Sequence, residues 1–428
     1  MKGTDIMNCK KFFVLAGFAA VVLAGCGSNE SPVVVESETI LTELTEPVKF
    51  VFWHAMAGEQ QEMLIELTDQ FMIENPEITV TLQNQSSYKD LQQKLTLNMS
   101  SPKQLPTLTQ AYPNWMENAI IDNLLVDLTP YIEDPIVGYD HYEDIIKGFR
   151  DGTEINGKIY SIPFNKSTEV LWYNKTLFDE LNLTPPTTYE ELAQTAKTIY
   201  DETGIIGAGF DSLSNYYTTY LYNEGLELDP ELDVTGPESV AAVDYYLDGI
   251  QDGYFRIAGT DIFLSGPFGN ELIGMYMGSN AGESFIEKSV GDKFEVGVAP
   301  YPADAVMQQG TDIFMFNSSS REQRLAAFEY LKFLTSTDSQ VKWGIATGYL
   351  PVRASAMESE SYINSGSLVA PIVEEATESL YTTNPDLATD GAFREAATVL
   401  EHILAQPDEP DVDKNLTGYK NTLVEIWE

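Results

Sequence analysis

Residues 48–82 read VKFVFWHAMAGEQQEMLIELTDQFMIENPEITVTL, and this stretch decides the fold class. Its first part, Val48–Trp53, is a dense apolar run that predicts a buried strand. From Glu59 to Met72 the apolar residues follow the helical period, and Asn75-Pro76 ends that helix. Residues 78–82 alternate and predict a second strand. A strand, a helix and a strand in so short a span make a βαβ unit, so we expect a parallel sheet and an α/β fold.

The rest of the chain continues this alternation of strands and helices. The further predicted elements are strands over 107–111, 158–163, 169–173 and 294–299, and helices over 88–99, from Tyr189 onward with Thr188 as N-cap, and over 323–334. No internal repeat or long low-complexity stretch follows residue 47. The body is therefore predicted to be one α/β structure rather than an array of repeats.

Charge and cysteine content exclude several classes of function. Lysine and arginine number 24 against 66 aspartate and glutamate, which gives a net charge of −42. Nucleic acid is excluded as a partner because phosphate binding needs clustered basic residues, and the surface does not favour anionic lipid. Cys9 and Cys26 both precede the body, and the three histidines are scattered without metal-ligand spacing. We therefore expect no disulfide framework, no metal site and no cofactor.

The first 47 residues carry the pattern of an export signal and a tether. Lysines precede the apolar run Phe12–Leu23, which is short for a membrane span but suits a signal peptide. The run ends in Leu23-Ala24-Gly25-Cys26, which resembles the bacterial lipobox. The resemblance implies that residues 1–25 are removed and that Cys26 carries a lipid anchoring the protein outside the cytoplasm. Residues 26–47 are then the acylated cysteine and a flexible linker.

Four segments of the body together resemble one family, the extracellular solute-binding proteins of carbohydrate and glycerol-3-phosphate ABC importers. They read FWHAMAGE at 52–59, FMIENPEITV at 71–80, IPFNKSTEVLWYNK at 162–175 and GIATGYLPVR at 344–353. The resemblance covers about residues 47–428. It implies a monomer that does no catalysis and delivers its solute to ABC permease subunits.

The resemblance also implies an architecture of two α/β lobes joined by crossing strands, with a hinge and a ligand cleft between them. We assign residues 48–162 and about 306–347 to lobe 1. Residues 163–305 and about 348–428 are assigned to lobe 2.

Particular ligand contacts follow from the glycerol-3-phosphate branch of that family. The matching positions are Tyr88, Ser167, Ser279 or its neighbour Asn280, Gly310 and Tyr349. The chain departs from that branch twice. Tyr112-Pro113 stands where the branch has a glutamate, and residues 384–386 contain no phosphate-binding arginine. Lys166 and Arg394 are the candidates to replace that arginine.

Aromatic side chains supply a second set of candidates, because the C–H face of a sugar ring stacks on an aromatic ring. Trp53 ends a strand and precedes a helix, where doubly wound folds place their ligands. Tyr112 and Trp115 follow a strand end, and Tyr216 follows a polar loop. We include these four with Tyr88 as expected cleft residues, while His54 is interpreted as a structural hydrogen-bonding residue.

Two ligand classes and two further functions remain open at this stage. The plentiful aromatics favour a neutral sugar or oligosaccharide, whereas the family branch favours glycerol-3-phosphate or a glycerophosphodiester. A secreted carbohydrate-active enzyme would need paired carboxylates facing one pocket, and no hydrolase motif marks such a pair. A sensory receptor module would share the same fold and cleft.

Overall fold

The computed structural model describes residues 40–378, 380–383 and 386–428. The predicted signal peptide and Cys26 lie outside these residues. The strands are β1 Val48–His54, β2 Ile78–Asn84, β3 Leu108–Ala111, β4 Glu154–Ile155, β5 Lys158–Ile159, β6 Ser161–Asn174, β7 Ala208–Phe210, β8 Phe255–Ile257, β9 Met275–Ser279, β10 Val296–Pro300, β11 Val306–Met315 and β12 Leu380–Tyr381.

The helices alternate with these strands along most of the chain. They are α1 Gly58–Glu74, α2 Tyr88–Met99, α3 Glu117–Ile121, α4 Thr129–Ile132, α5 Lys147–Asp151, α6 Lys175–Leu181, α7 Tyr189–Thr203, α8 Leu213–Asn223, α9 Pro237–Gln251, α10 Ser265–Gly269, α11 Glu283–Val290, α12 Arg321–Leu334, α13 Thr337–Thr347, α14 Ala354–Met357, α15 Glu360–Ile363, α16 Val373–Glu378, α17 Leu387–Leu404 and α18 Val412–Trp427.

The predicted βαβ unit is present as β1, α1 and β2. The two strands pair in parallel, from Val48 beside Ile78 to His54 beside Asn84. Helix α1 buries Leu64, Leu67 and Phe71 at the spacing that its sequence pattern indicated. The α/β fold class is therefore confirmed.

The main sheet has the strand order β2-β1-β3-β11-β6-β9-β7-β8, with β10 also pairing with β6 and β12 with β11. Strands β1, β2 and β3 are parallel, as are β7, β8 and β9. Strand β11 runs antiparallel to β3 and β6, and β6 runs antiparallel to β9 and β10. Two parallel groups are thus joined through the central antiparallel pair β6 and β11.

Strands β6 and β11 belong to both groups, which is what makes the molecule two-lobed. The start of β6 pairs with the end of β11, which continues to β3 in the first lobe. The end of β6, from Glu169 onward, pairs with β9 and β10 in the second lobe. Between these ends, residues 165–168 pair with residues 308–311, where the lobes meet.

One strand prediction needs correction. The sequence predicts separate strands over 158–163 and 169–173, but residues 161–174 form the single strand β6. Residues 165–168, between the two predicted segments, are polar, and they stay extended because they pair with β11. A partner so distant in sequence leaves no local pattern.

Helices cover the sheet of each lobe. Helices α1, α12 and α13 pack on one another, and α12 also packs on β1, around a core containing Phe50, Phe71 and Tyr330. Helices α8, α9, α17 and α18 form the corresponding layer of the second lobe. Helix α12 begins two residues before the predicted Gln323 because Ser320 and Gln323 form a capping box.

The described part of the predicted linker is attached to the body. Ile40 and Leu44 are half-buried and pack against the hydrophobic core that contains Phe50 and Phe71. A flexible tether therefore does not extend as far as residue 47, because these two apolar side chains hold the segment against the body.

Candidate functional site

A cavity of about 1070 Å³ lies where the two lobes meet. One wall comes from the start of α2 and the turn after β3, and the floor comes from β6 and β11. The other wall comes from the start of α8, the residues after β12 and the start of α17. The lining residues are Tyr88, Lys89, Gln92, Gln93, Thr96, Leu97, Tyr112, Pro113, Asn114, Trp115, Lys166, Asn215, Met307, Gln308, Gln309, Gly310, Thr382, Thr383, Thr389, Asp390, Phe393 and Arg394.

Three aromatic rings form the first wall. Ser87 caps α2 by accepting a hydrogen bond from Asp90 N, which places Tyr88 at the first position of the helix. Tyr112 and Trp115 lie on the turn that follows β3, with ring centroids 5.1 Å apart. The Tyr88 centroid is 5.4 Å from Tyr112 and 6.2 Å from Trp115. These half-buried rings form the aromatic cluster, a surface suited to the face of a sugar ring.

Burial also decides the charge state of the phenols in this cluster. It raises the pKa of Tyr88 and of Tyr112 well above the ordinary value, and the neighbouring Tyr349 phenol raises both further. Each hydroxyl therefore stays neutral at physiological pH. A neutral phenol both donates and accepts a hydrogen bond, which suits a ligand hydroxyl.

Side-chain amides line the β11 part of the floor and the adjoining start of α8, which together we call the amide wall. Gln308 and Gln309 lie on β11, and Asn215 lies in the first turn of α8, which Ser212 caps by accepting from Asn215 N. Asn215 Nδ2 donates to Glu169 Oε1 at 3.0 Å. Gln308 Oε1 is buried and has no hydrogen-bond partner among the described residues. The wall thus presents neutral donors and acceptors to a ligand.

Two of the cations on the cavity are paired with carboxylates. Lys166 Nζ contacts Asp312 Oδ1, and both side chains are buried. Arg394 pairs with Asp390, whose Oδ1 also accepts from Asn114 Nδ2 at 2.6 Å. Burial raises the pKa of Asp390, and the Arg394 charge and the Asn114 hydrogen bond lower it. The pairing leaves these parts of the wall close to neutral.

Five of the predicted site residues line the cavity, namely Tyr88, Tyr112, Trp115, Lys166 and Gly310. Gly310 has φ +94°, and a Cβ there would lie 2.1 Å from Asn165 O. The backbone of Gly310 therefore lies close to β6 and also borders the cavity. Arg394, proposed from the sequence as a replacement cation, also reaches the cavity.

Four predicted contacts from the family branch lie behind the cavity surface. Tyr349 is buried, stacks on Trp343 and places its hydroxyl 3.5 Å from Tyr88 Oη. Ser167 is buried and does not line the cavity. Ser279 accepts from Ala281 N, and Asn280 Oδ1 accepts from Thr168 N at 2.7 Å. In the described structure these two side chains hold the backbone around β6 and β9.

Two aromatic predictions are corrected by the structure. Trp53 is buried, donates from Nε1 to Gln83 Oε1 at 2.8 Å and lies beneath Lys94. Tyr216 is fully buried and donates to Ala242 O at 2.6 Å. Neither lines the cavity. Trp53 lies on the same face of β1 as the exposed Lys49, but Leu91 and Leu95 of α2 cover it there, and Tyr216 is on the buried face of α8.

The sequence reasoning missed Asn114, Asn215, Gln308, Gln309 and Phe393. Asn215 had a usable signal, since it directly precedes Tyr216 in the segment that the sequence analysis selected. The helical period of α8 would have placed the tyrosines inside and the asparagine at the surface. The two glutamines carry no signal, because amide side chains occur throughout the chain.

Two properties of the described residues bear on other functions. Of the helices in residues 40–378, 380–383 and 386–428, none is long and apolar enough to span a membrane. Those same residues contain no group of three or more His, Cys, Asp or Glu side chains arranged to hold a metal ion. His54 accepts from Met56 N at 3.2 Å, and burial lowers its pKa to about 4, so it is a neutral structural residue.

Two lobes that share crossing strands and enclose a polar, aromatic-lined cavity define a solute-binding architecture. The chain belongs to the bacterial extracellular solute-binding protein family, whose model matches residues 66–369. It is 23% identical over 331 residues to the sn-glycerol-3-phosphate-binding periplasmic protein UgpB of Escherichia coli K12, covering 72% of this chain and 75% of that protein.

Solved structures share the fold. UgpB from Mycobacterium tuberculosis in complex with glycerophosphocholine has a TM-score of 0.79 at 22% identity, covering 89% of this chain and 98% of that one. The GacH receptor of Streptomyces glaucescens, solved unliganded and with acarbose, has a TM-score of 0.76 at 20% identity, covering 90% and 99%. The family resemblance and the two-lobed fold are therefore confirmed. The protein acts outside the cytoplasm, and its relatives are binding proteins rather than enzymes.

Proposed function

We propose that the protein captures an uncharged sugar or oligosaccharide and delivers it to an ABC importer. The observation that carries this proposal is the cavity itself, with an aromatic cluster on one wall and neutral amides on the other. The C–H face of a pyranose stacks on Tyr112 or Trp115, while Asn215, Gln308 and Gln309 exchange hydrogen bonds with its hydroxyls.

The volume and the charges support the same ligand class. A cavity of about 1070 Å³ exceeds what a monosaccharide fills and accommodates several sugar rings. Lys166 and Arg394 already pair with Asp312 and Asp390, so a phosphate would compete with carboxylates for both cations. A neutral ligand meets no such competition.

Glycerol-3-phosphate or a glycerophosphodiester is the second candidate. Lys89 and Arg394 both lie on the cavity and are exposed enough to reorient toward an anion. The similarity to glycerol-3-phosphate-binding and glycerophosphocholine-bound proteins favours the same class. A charge-assisted hydrogen bond from Arg394 would stabilise the phosphate once Asp390 released it.

Calorimetry decides between the two classes. The mature protein is titrated with maltotriose, acarbose, glycerophosphocholine and glycerol-3-phosphate. We expect binding to the first two, and Trp115→Ala weakens it about tenfold because the stacking surface is lost. Phe285→Ala, an exposed aromatic outside the cavity, is the matched control and leaves affinity unchanged. Binding restricted to the two phosphates would contradict the sugar proposal.

The absence of catalysis is part of the proposal and is tested with the same samples. Maltotriose is incubated with the protein for a day and analysed by chromatography. Recovery of intact trisaccharide is expected, and a hydrolysis product would favour the enzyme alternative. A sensory role remains compatible with binding, and adjacent permease genes would favour transport.

Anchoring by Cys26 is proposed from the lipobox alone. Cys26→Ala should leave the precursor unprocessed or move the protein from the membrane fraction to the soluble one, because the lipidated residue is lost. Fractionation and mass spectrometry of the N-terminal peptide measure this. A wild-type protein that is soluble and carries no lipid would rule the anchor out.

The lobe boundaries at 162/163, 305/306 and 347/348 likewise stay predictions.

A further inference from the structure

Behind the amide wall of the cavity lies a buried carboxyl group that the proposed binding role does not use. Glu169 is on β6, opposite Ser279 of β9, and only 2% of its surface is exposed. Its Oε1 accepts from Asn215 Nδ2 at 3.0 Å. Its Oε2 is buried without a hydrogen-bond partner in the described part of the chain. A buried polar atom left in that state calls for an explanation.

Gln309 is the second amide beside this carboxyl. It lies on β11, lines the cavity, and lowers the pKa of the Glu169 carboxyl. Gln309 Nε2 is itself buried and has no hydrogen-bond partner among the described residues. An acceptor and a donor, each lacking a good partner, therefore stand side by side just behind the ligand cavity.

The surroundings of Glu169 make it a titrating group. Burial raises its pKa to about 8, and the nearby Asp211 carboxylate raises it further, while Asn215 and Gln309 oppose the shift. Burial likewise raises the pKa of Asp211 to about 7. The other ionisable groups that face Glu169 are phenols, Tyr189 of α7, Tyr301 after β10 and Tyr381 of β12.

We propose that Glu169 is a positioning residue that decides which end of the Asn215 and Gln309 amides faces the ligand, so that selectivity changes with pH. The proposal rests on the cavity being the ligand site. A carboxylate only accepts hydrogen bonds, so it draws both NH₂ groups toward itself and leaves two carbonyl oxygens for the cavity. When the carboxyl is protonated, Oε1 still accepts from Asn215 Nδ2, but Oε2 carries the proton and no longer attracts an N–H group. Gln309 Nε2 is then free to turn to the cavity and donate a hydrogen bond to the ligand.

The two states suit different ligands. In the ionised state, the two carbonyl oxygens accept hydrogen bonds from the hydroxyls of a sugar. They cannot bond to the phosphate of a phosphodiester, because an ionised phosphate has only acceptor oxygens. Ionised Glu169 also adds a negative charge close behind the wall. Raising the pH therefore favours a hydroxyl-bearing ligand over a phosphodiester, and the effect comes from a residue that touches neither.

The test begins without a ligand, on protein carrying ¹³C in the side-chain carbonyl carbons of Glu, Gln and Asn. We expect the Glu169 carboxyl carbon to titrate near pH 8, with Asn215 Cγ and Gln309 Cδ moving at the same midpoint. Glu169→Gln mimics the protonated acid and should hold both amide signals constant. Glu283→Gln, at another buried glutamate, is the control and should leave the coupled movement intact. Asp211→Asn should also keep the coupled movement but lower its midpoint, because the Asp211 carboxylate raises the pKa of Glu169.

Amide signals that stay still while the Glu169 carbon titrates would overturn the proposal. Calorimetry then measures selectivity for maltotriose over glycerophosphocholine at about pH 6 and about pH 9. We expect the ratio of dissociation constants to change by about threefold to tenfold in the wild type and to stay constant in Glu169→Gln. If neither compound binds, the proposed ligand class is wrong, yet the carbon titration still decides the role of Glu169.

Discussion

Lys166 and Asp312 form an ion pair that is almost completely buried at the point where β6 and β11 cross. Removing the cation leaves a buried carboxylate without compensation, which costs about 3–5 kcal/mol. We therefore expect Lys166→Met to lower the free energy of unfolding by about that amount. Adding Asp312→Asn should recover most of it, because the amide removes the charge and still accepts from Ser161.

Urea denaturation measures both variants, and a single variant as stable as the wild type would contradict the expectation. The result also controls the interpretation of binding data. If a Lys166 variant no longer binds a ligand, this does not demonstrate a phosphate contact. The same substitution leaves Asp312 unpaired and destabilises strands β6 and β11 beneath the cavity. The double variant separates the two effects, since it restores the fold and still lacks the lysine.

Two of the predicted residues that line the cavity share one property. Tyr112 and Trp115 directly follow the end of a strand, where a parallel sheet opens its ligand site, so position alone marks them. Trp53 also lies near a strand end, but its ring turns to the inside of the first lobe. Which face a side chain takes depends on partners that the local pattern does not show.

At the scale of an element, Gly310 is what lets β11 lie against β6. Its φ of +94° and the position of Asn165 O leave no room for a Cβ. Gly310→Ala should therefore destabilise the protein by about 2–3 kcal/mol. Gly418→Ala, on the exposed side of α18, is the matched control and should stabilise by up to about 1 kcal/mol. Denaturant unfolding compares the two, and equal effects would disprove the steric argument.

Elements with local partners were predictable and those with distant partners were not. Strands β1 and β2 and helices α1 and α2 fall within two residues of their predicted bounds, and α7 begins at the predicted Tyr189. Periodicity and caps are properties of the segment itself. Strand β11 shows no alternation through Gln308, Gln309 and Gly310, and it is extended because it lies between β3 and β6. The central part of β6 depends on β11 in the same way.

Over the whole molecule, acidic residues dominate, with a net charge of −42. Such a field opposes the approach of anions at long range, although salt screens it beyond about 10 Å. At the cavity, carboxylates also neutralise Lys166 and Arg394. Both the distant and the local charges therefore favour an uncharged solute.

The shared strands also determine when this chain can finish folding as it is synthesised. Strand β3 ends at Ala111, but β11, which covers its second edge, begins only at Val306. The strands of the second lobe, β6 to β10, are complete once Pro300 has been synthesised, whereas the first lobe must wait for β11 before its sheet is complete. Until then the second edge of β3 stays unpaired, and the long sequence separation between β3 and β11 makes the first lobe the slower of the two to fold.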